Sequence, residues 1–221
     1  MRVRDLIGLP ERWERRLTWF MEVTLVGMFF VGLDRGNTGI LVNTAAALVA
    51  TRLPSLLERD YDVALDPALA LWITAAVWLH VIGTVGLPGS DANLYATVTG
   101  FDHVTHALSA SVVAGVGYTT VRAIDLHADD VRFPPRFTFV FVLLFVLAFG
   151  VVWEVIEFSL STAARTLGSG SVLTQYGLGD TILDLVFDTV GAVVVAVWGT
   201  AHLTNAVEQV VTFLGKADAG D

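Results

Sequence analysis

The stretch Gly179-Asp180-Thr-Ile-Leu-Asp184-Leu-Val-Phe-Asp188-Thr-Val-Gly191 opens an apolar segment that runs to about residue 202. Three aspartates recur in it at intervals of four residues. On an α-helix such an interval turns only about 40° beyond a full turn, so the carboxylates lie along one stripe about 12 Å long. Apolar side chains occupy the other faces. The stretch therefore predicts a hydrophobic helix with a line of acids, and those acids need partners.

The composition is that of a membrane protein. Of the 221 residues, 54% are apolar and only 16% are charged, and the mean hydropathy is +0.66. A soluble domain of this length carries more charge on its surface. The apolar residues also cluster into runs of nearly membrane-spanning length. We therefore expect a single all-α domain, an integral membrane bundle.

The apolar runs predict six transmembrane helices. A basic segment, 1–17, precedes them as an interfacial helix or a plain positive flank. The membrane domain is 18–203, and a short cytoplasmic tail, 204–221, follows. The expected spans are 18–33, 39–57, 68–86, 102–124, 137–160 and 180–202, with a loop rich in Gly, Ser and Thr at 161–179.

Lys and Arg set the expected orientation. With six spans, one side receives five in the N-terminal segment, two in residues 52–67, three in residues 122–136 and one in the tail. The other side receives only Arg35 and Arg165. This bias predicts that both termini are cytoplasmic, in the cell (plasma) membrane. Arg52 and Pro54 interrupt span 2, and the bias disappears if that span does not cross.

The charge balance excludes several classes of protein. Asp and Glu number 22 against 13 Lys and Arg, and Lys216 is the single lysine. An acidic, lysine-poor chain is a poor partner for nucleic acid. Its composition resembles that of proteins from salt-accumulating halophiles. The chain has no cysteine, which excludes disulfides, thiolate metal sites and cysteine nucleophiles. The expected partner is the lipid bilayer, and the oligomeric state stays open.

Ionisable residues concentrate in one leaflet. On the six-span topology, spans 3 to 6 each bring His or carboxylate groups to the half near the extracytoplasmic face. Within each helix the spacing is three or four residues, so the side chains share a face. These residues are His80 in span 3, Asp102, His103 and His106 in span 4, Glu154 and Glu157 in span 5, and Asp180, Asp184 and Asp188 in span 6.

Spans 3 to 6 place no Lys or Arg near these acids, since Arg122 and Arg136 lie at cytoplasmic ends, and only Arg165 in the outer loop could reach them. An unpaired aspartate at mid-membrane costs roughly 2.5–3.5 kcal/mol. A bound divalent cation such as Zn, Mn or Fe would offset this cost, as would protons, charged histidines or water. We assign Glu157 and Asp188 as catalytic. The expected metal ligands are His80, Asp102, His106, Glu154, Asp180 and Asp184.

Each of these residues also has a structural interpretation. His80 could be a hydrogen-bonded interhelical residue. Asp102 and Asp180 could be only the N-caps of their helices. Glu154 and Glu157 could lie in headgroup water. Asp184, Asp188 and His106 lie deeper than a cap and are the strongest candidates.

Separately, Ala107, Ser111 and Gly115 form a small-residue stripe on span 4 that predicts close helix packing.

Several motifs together resemble a known family. They are Phe101-Asp102-His103-Val-Thr-His106, Trp153-Glu154-Val-Ile-Glu157-Phe158 and the aspartate stretch, with a His in span 3. Over about residues 18–203 the chain resembles the YjdF-like small inner-membrane proteins. The resemblance implies a topology and the positions of the motifs but no reaction.

Three classes of function remain open. A one-sided His and carboxylate cluster suits a membrane-embedded hydrolase that uses a metal to activate water and acts on a lipid or lipid-linked substrate, with 161–179 as a lid. The second class is a non-catalytic metal or proton site with a structural or sensory role. The third is a cation or proton transporter, which the apolar inner halves of spans 3, 5 and 6 disfavour.

Overall fold

The structure is a computed structural model that describes residues 9–86, 93–168, 170–173 and 175–219. Within these ranges the regular elements are α-helices. They are α1 (Glu11–Asp34), α2 (Thr38–Ala50), α3 (Leu53–Tyr61), α4 (Pro67–Val85), α5 (Leu94–Thr97), α6 (Phe101–His127), α7 (Pro135–Leu167), α8 (Leu178–His202) and α9 (Thr204–Ala219).

Among the described residues, six helical segments are long and apolar enough to cross a membrane, which confirms the all-α, six-span expectation. The second segment, Thr38–Tyr61, combines α2 and α3. Pro54 lies in the first turn of α3, where its missing N–H breaks the helical hydrogen-bond ladder. The interruption predicted from the sequence is therefore real, and the two helices together still have the length of a span.

Local sequence signals explain where the spanning helices begin. The Asn37 side chain accepts a hydrogen bond from the Ile40 N–H at the start of α2, and Asp66 accepts one from the Ala68 N–H at the start of α4. Both are N-caps that satisfy a free backbone donor. Pro67 and Pro135 open α4 and α7, where a missing N–H does no harm.

The loop expected at 161–179 is shorter than predicted, because α7 continues to Leu167. The hydroxyl-rich composition suggested a loop, but Ala163 and Ala164 favour helix and the Thr166 hydroxyl donates one turn back to the Thr162 carbonyl. The Ser161 hydroxyl donates outside the helix, to the Leu173 carbonyl. The helix ends at Gly168, which has the left-handed φ of 65° that glycine tolerates.

The two ends of the chain also differ from the expected simple flanks. Residues 1–8 of the basic segment lie outside the described ranges, and its remainder from Glu11 is continuous with α1. The expected tail forms α9. Its Ala206 and Val207 are buried in the core together with Leu203, so this segment is part of the folded body.

The helices pack in two groups that share α4. Helices α1, α2 and α4 enclose a small core around Leu25, Ala47 and Val81. Helices α4, α6, α7, α8 and α9 enclose a larger core that includes Val142 and Val146. We call the end of the bundle at which α4 ends and α6 and α8 begin the site end. At the opposite end, His127 on α6 contacts Asp218 on α9 at 2.8 Å.

The closest helix packing is between α6 and α8, where Gly191 lies against the backbone of α6. A Cβ at Gly191 would collide with the Ala107 carbonyl oxygen and come within 3.0 Å of the Ser111 nitrogen. This confirms that Ala107 and Ser111 form a close-packing surface. Gly115, the third residue of the stripe, faces Trp72 on α4. The close approach brings the acids of α8 next to the first turns of α6.

Candidate functional site

Three aspartates surround the imidazole of His106 at the site end. The His106 Nε2 lies 3.6 Å from the Asp102 Oδ1 and 3.8 Å from the Asp184 Oδ1. The His106 Nδ1 lies 3.2 Å from the Asp188 Oδ1. Helix spacing explains the arrangement, since Asp102 is one turn from His106 on α6 and Asp184 is one turn from Asp188 on α8.

One ligand atom each from Asp102, His106 and Asp184 lies within 4.8 Å of the other two, so this group can hold a metal ion. Asp184 is only 1% exposed, and its Oδ1 has no hydrogen-bond partner. A buried carboxylate oxygen without a partner is unfavourable. A cation between the three ligand atoms would satisfy it, and the mixed oxygen and nitrogen donors suit a divalent transition metal.

Asp188 lies behind the imidazole, on the side away from Asp102 and Asp184. When the His106 Nδ1 carries the proton of a neutral ring, it donates to the Asp188 Oδ1, and the Nε2 lone pair then lies on the side of the other two acids. Histidines that bind metals are commonly oriented by a carboxylate in this way. Gly150 on α7 makes room for Asp188, because a Cβ there would lie 2.5 Å from the Asp188 Oδ2.

Glu154 and Glu157 are buried, at 5% and 8% exposure, and so do not lie in headgroup water. The Thr181 hydroxyl donates to the Glu154 Oε2 at 2.7 Å, whereas the Glu154 Oε1 has no partner. The Trp153 indole N–H donates to the Glu157 Oε1 at 3.0 Å. Both acids therefore lie inside the bundle, with only part of their hydrogen-bonding capacity used.

His80 belongs to a hydrogen-bond network with both ring nitrogens occupied. The Asn43 amide donates to the Gly39 and Val172 carbonyls, so its Oδ1 accepts from the His80 Nε2–H at 3.2 Å. The His80 Nδ1 then accepts from the Tyr95 hydroxyl at 2.8 Å. Burial raises the pKa of the Tyr95 phenol, which keeps it protonated as a donor. This geometry matches the interhelical alternative for His80.

The remaining candidates lie around the cluster with different contacts. Asp102 does not cap α6, whose N-cap is Gly100. Asp180 accepts from the Tyr176 N–H at 3.0 Å and so ties the preceding loop to α8. His103 stacks on Phe187, with the ring centroids 4.3 Å apart. Arg165 is exposed and donates to Thr162 on its own helix, so it does not contact the acids.

A cavity of about 410 Å³ adjoins the cluster. It lies between α2, α4, α6 and α7 and is covered at the site end by residues 171–173. Asp102, His106 and Asp188 form part of its wall, as do His80 and Glu157. Asp102 and His106 are therefore accessible to a small molecule, whereas Asp184 is buried behind them and does not line the cavity.

Along α6 the polar character weakens beyond Ser111, and the next polar side chains are Tyr118, Thr119 and Thr120. Ser111 accepts from the Trp72 indole N–H at 3.0 Å and donates to the Leu108 carbonyl. Below it, Ala114 and Tyr118 are buried in the larger core. Residues 112–117 of α6 are apolar and separate the His and carboxylate cluster at the site end from Tyr118.

Sequence reasoning missed three groups that shape the site. Asn43 is an amide in an apolar span, a signal for an interhelical hydrogen bond. Tyr95 lies between the expected spans 3 and 4, and no sequence pattern points to it. Gln175 donates to Thr181, which in turn donates to Glu154, and this chain could not be predicted without the helix packing.

Comparison with known proteins agrees with this architecture. No solved structure matches the chain. A relative from Thermotoga maritima, described as "Uncharacterized protein", is 30% identical over 143 residues, which is 65% of this chain and 67% of the relative. Residues 16–205 match the family described as "Predicted membrane protein (DUF2238)". This match fits the resemblance to the YjdF-like proteins, and the chain belongs to the DUF2238 family of membrane proteins.

Proposed function

We propose that this protein is a membrane-embedded, metal-dependent hydrolase that binds one divalent ion such as Zn, Mn or Fe at Asp102, His106 and Asp184. The observation that carries the proposal is the buried Asp184 Oδ1, which lacks a hydrogen-bond partner beside the His106 Nε2. A buried polar atom without a partner calls for an explanation, and a bound ion is one. The substrate would be lipid-like, since the cavity lies within the membrane-spanning helices.

The surrounding residues divide into ligands and supporting groups. Asp188 orients the His106 ring through Nδ1. Glu157 lines the cavity, where it can take a proton from water. A bound divalent ion would supply Lewis acidity and lower the pKa of a bound water. Glu154 and Asp180 add negative charge close by, and His80 holds the cavity wall together through Asn43 and Tyr95.

The proposed location is the plasma membrane, with the site end extracytoplasmic and both termini cytoplasmic. The distribution of positive charge supports this orientation. Arg59, Arg122, Arg132, Arg136 and Lys216 belong to segments at the opposite end of the bundle. A catalytic site in this orientation would act on molecules of the outer leaflet or the extracytoplasmic space.

The test is the metal content of the protein purified in nanodiscs, measured by mass spectrometry of the elements. Wild type should carry about one equivalent of a divalent transition metal, and Asp184→Asn and His106→Gln should lose it. His103→Gln is the matched control, because His103 lies on the same helix but stacks on Phe187. Folded wild type that takes up no metal even when supplied with Zn, Mn or Fe would overturn the proposal.

The alternative is a structural metal, which would link α6 and α8, the two helices that supply the ligands. Removing a structural ion should lower the melting temperature strongly, because the ion stabilises only the folded state. Removing a catalytic ion should have a smaller effect on melting. The hydrolase proposal therefore expects apo protein to stay folded at the growth temperature and to lose activity on a lipid-like ester.

A further inference from the structure

We infer that the site takes a neutral amphiphile with one hydrocarbon chain, which enters from the bilayer through a side opening between α2 and α7. The chain of the amphiphile occupies the deep part of the cavity, and its polar group lies beside Asp102 and His106. This inference rests on the proposed function for the reaction, but the occupancy of the cavity can be tested without it.

The side opening is marked by two residues that line the cavity and also face outward. Ala46 on α2 and Phe149 on α7 both belong to the cavity wall, and both are exposed, Phe149 to 51%. Helix α2 packs on α1 and α4, whereas α7 packs on α6 and α8. In the described residues, α2 and α7 form no extended contact with each other. The space between them therefore opens towards lipid.

The site end of this opening is covered. The Asn43 amide on α2 donates to the Val172 carbonyl at 2.7 Å. The Ser161 hydroxyl on α7 donates to the Leu173 carbonyl at 2.9 Å. Residues 171–173 thus form a roof that is hydrogen-bonded to both helices. A molecule that reaches the cavity from the side passes Ala46 and Phe149 from the hydrocarbon region, below this roof.

The cavity wall changes from polar to apolar with depth. Near the roof it carries Asn43, His80, His106 and Glu157. Between about one and three turns deeper on the same helices it carries Ala50, Val77, Val113 and Val146. An amphiphile of the adjacent leaflet has the same order, with its polar group near the surface and its chain near the midplane. Such a molecule can therefore slide in sideways without inverting.

The dimensions favour a single chain. Along α6 the lining runs from Asp102 to Val113, which is roughly 16 Å at 1.5 Å per residue. A volume of about 410 Å³ spread over that length describes a long, narrow cavity. An extended hydrocarbon chain has this shape, whereas a sterol ring system or a pair of acyl chains is wider.

The charge of the wall favours a neutral polar group. No Lys or Arg is among the described residues that line the cavity, whereas Asp102, Asp188 and Glu157 are. The proposed metal ion is already matched by the carboxylates of Asp102 and Asp184, so a phosphate group would still meet the acids Asp188 and Glu157 with no cationic side chain to pair with. A hydroxyl, amide or neutral ester would instead find hydrogen-bond donors and acceptors.

Photolabelling tests the inference directly. The probe is hexadecanol with a diazirine at mid-chain, incorporated into nanodiscs that hold the full chain, and labelled residues are mapped by peptide mass spectrometry. We expect labels on deep cavity residues such as Val113 and Val146. Ala46→Trp should reduce these labels at least tenfold by blocking the opening, and Ala50→Phe should do so by filling the deep part. Ala45→Trp is the matched control, because Ala45 is exposed and does not line the cavity.

The outcomes separate this inference from the proposed function. Metal content is measured on the same samples, so labelling of the cavity without metal supports the inference while the hydrolase proposal fails. Labels only on outward-facing residues would overturn the inference, as would equal labelling in folded Ala46→Trp and Ala45→Trp. If a diazirine-bearing hexadecyl phosphate labels the cavity as strongly as the alcohol does, the inference that the polar group is neutral would be overturned.

Discussion

At the scale of single residues, Asp184 and Asp188 have different roles. Asp184 would bind the metal, whereas Asp188 positions the His106 ring. It contacts the His106 Nδ1 at 3.2 Å, and Asp184 lies on the side of Nε2. Asp188→Asn keeps the size of the side chain but weakens its hydrogen bond to the His106 ring. It should therefore reduce metal affinity about 10–100-fold, as for other carboxylates that orient a metal-binding histidine. Isothermal titration with the metal measures this. Asp130→Asn, at an exposed acid of the opposite end, should change nothing.

Asp184→Asn should have the larger effect, with metal binding lost altogether. If Asp188→Asn instead abolished binding while Asp184→Asn retained it, the roles of the two aspartates would be reversed. The site would then have to be rebuilt around Asp188.

Tyr95 has a distinct role, as the donor that fixes the His80 ring. Because burial raises its pKa, the folded state keeps the phenolic proton above pH about 10, where an unfolded chain loses it. The free energy of unfolding should therefore fall as the pH rises beyond that value. The free energy of unfolding of Tyr95→Phe should be about 1–3 kcal/mol lower at neutral pH. It should also fall less steeply as the pH rises into the alkaline range. Denaturation measured across pH 7–11 tests both effects.

An alkaline decline of the same slope in Tyr95→Phe would mean that other groups cause it. Tyr61→Phe is the control, since Tyr61 is an exposed ring at the opposite end that packs on Phe213.

The sequence identified most of the residues around the site but not their roles. Helical spacing placed Asp184, Asp188 and His106 on facing surfaces, and the structure brings them together. Spacing could not distinguish His80 from His106, because both are histidines in outer halves of spans. Their difference comes from partners on other helices, namely Asn43 and Tyr95 for His80 and aspartates for His106.

At the scale of elements, the site depends on how closely α6 and α8 approach. Gly191→Leu would drive a side chain into the Ala107 carbonyl, so the helices must separate. We expect a loss of at least several degrees in melting temperature and of the metal, since the ligands on α6 and α8 move apart. Gly27→Ala is the control, because no atom lies within 4 Å of the added methyl. A Gly191→Leu protein with normal melting and normal metal content would contradict the packing.

Hydropathy predicted the spanning helices well, because long apolar runs have few other structures in a bilayer. Helix ends were less predictable. Ser161 to Leu167 extended α7 because its alanines favour helix and one hydroxyl donates a turn back along the helix. Helix α9 was missed because the segment is too short and too polar for a span, although Val207, Val211 and Leu214 recur at helical spacing. Its packing beside α6 explains why Ala206 and Val207 are buried.

At the scale of the whole molecule, the orientation follows from the distribution of charge. The chain has no cysteine, so single cysteines report their side of the membrane. In intact cells an impermeant maleimide should label Thr97→Cys, at the site end, and should label Asp130→Cys only after lysis. Both positions are exposed. The reverse pattern would place the site end in the cytoplasm and both termini outside.

The cavity is a property of the whole bundle and could not be read from the sequence. It exists because α2 packs with α1 and α4 while α7 packs with α6 and α8, which leaves a space between the two groups. Periodicity shows which face of each helix is polar, but it does not show which helices remain apart. The expected one-sided polar region did follow from the sequence, because the inner halves of spans 3, 5 and 6 are apolar.

The central claim is that Asp102, His106 and Asp184 hold one divalent metal. X-ray absorption at the K-edge of protein loaded with zinc in nanodiscs tests it most directly. The first shell should contain a single imidazole nitrogen and carboxylate oxygens at about 2.0–2.2 Å, and the imidazole signal should vanish in His106→Gln but persist in His103→Gln. A first shell without imidazole, or one unchanged in His106→Gln, would contradict the claim.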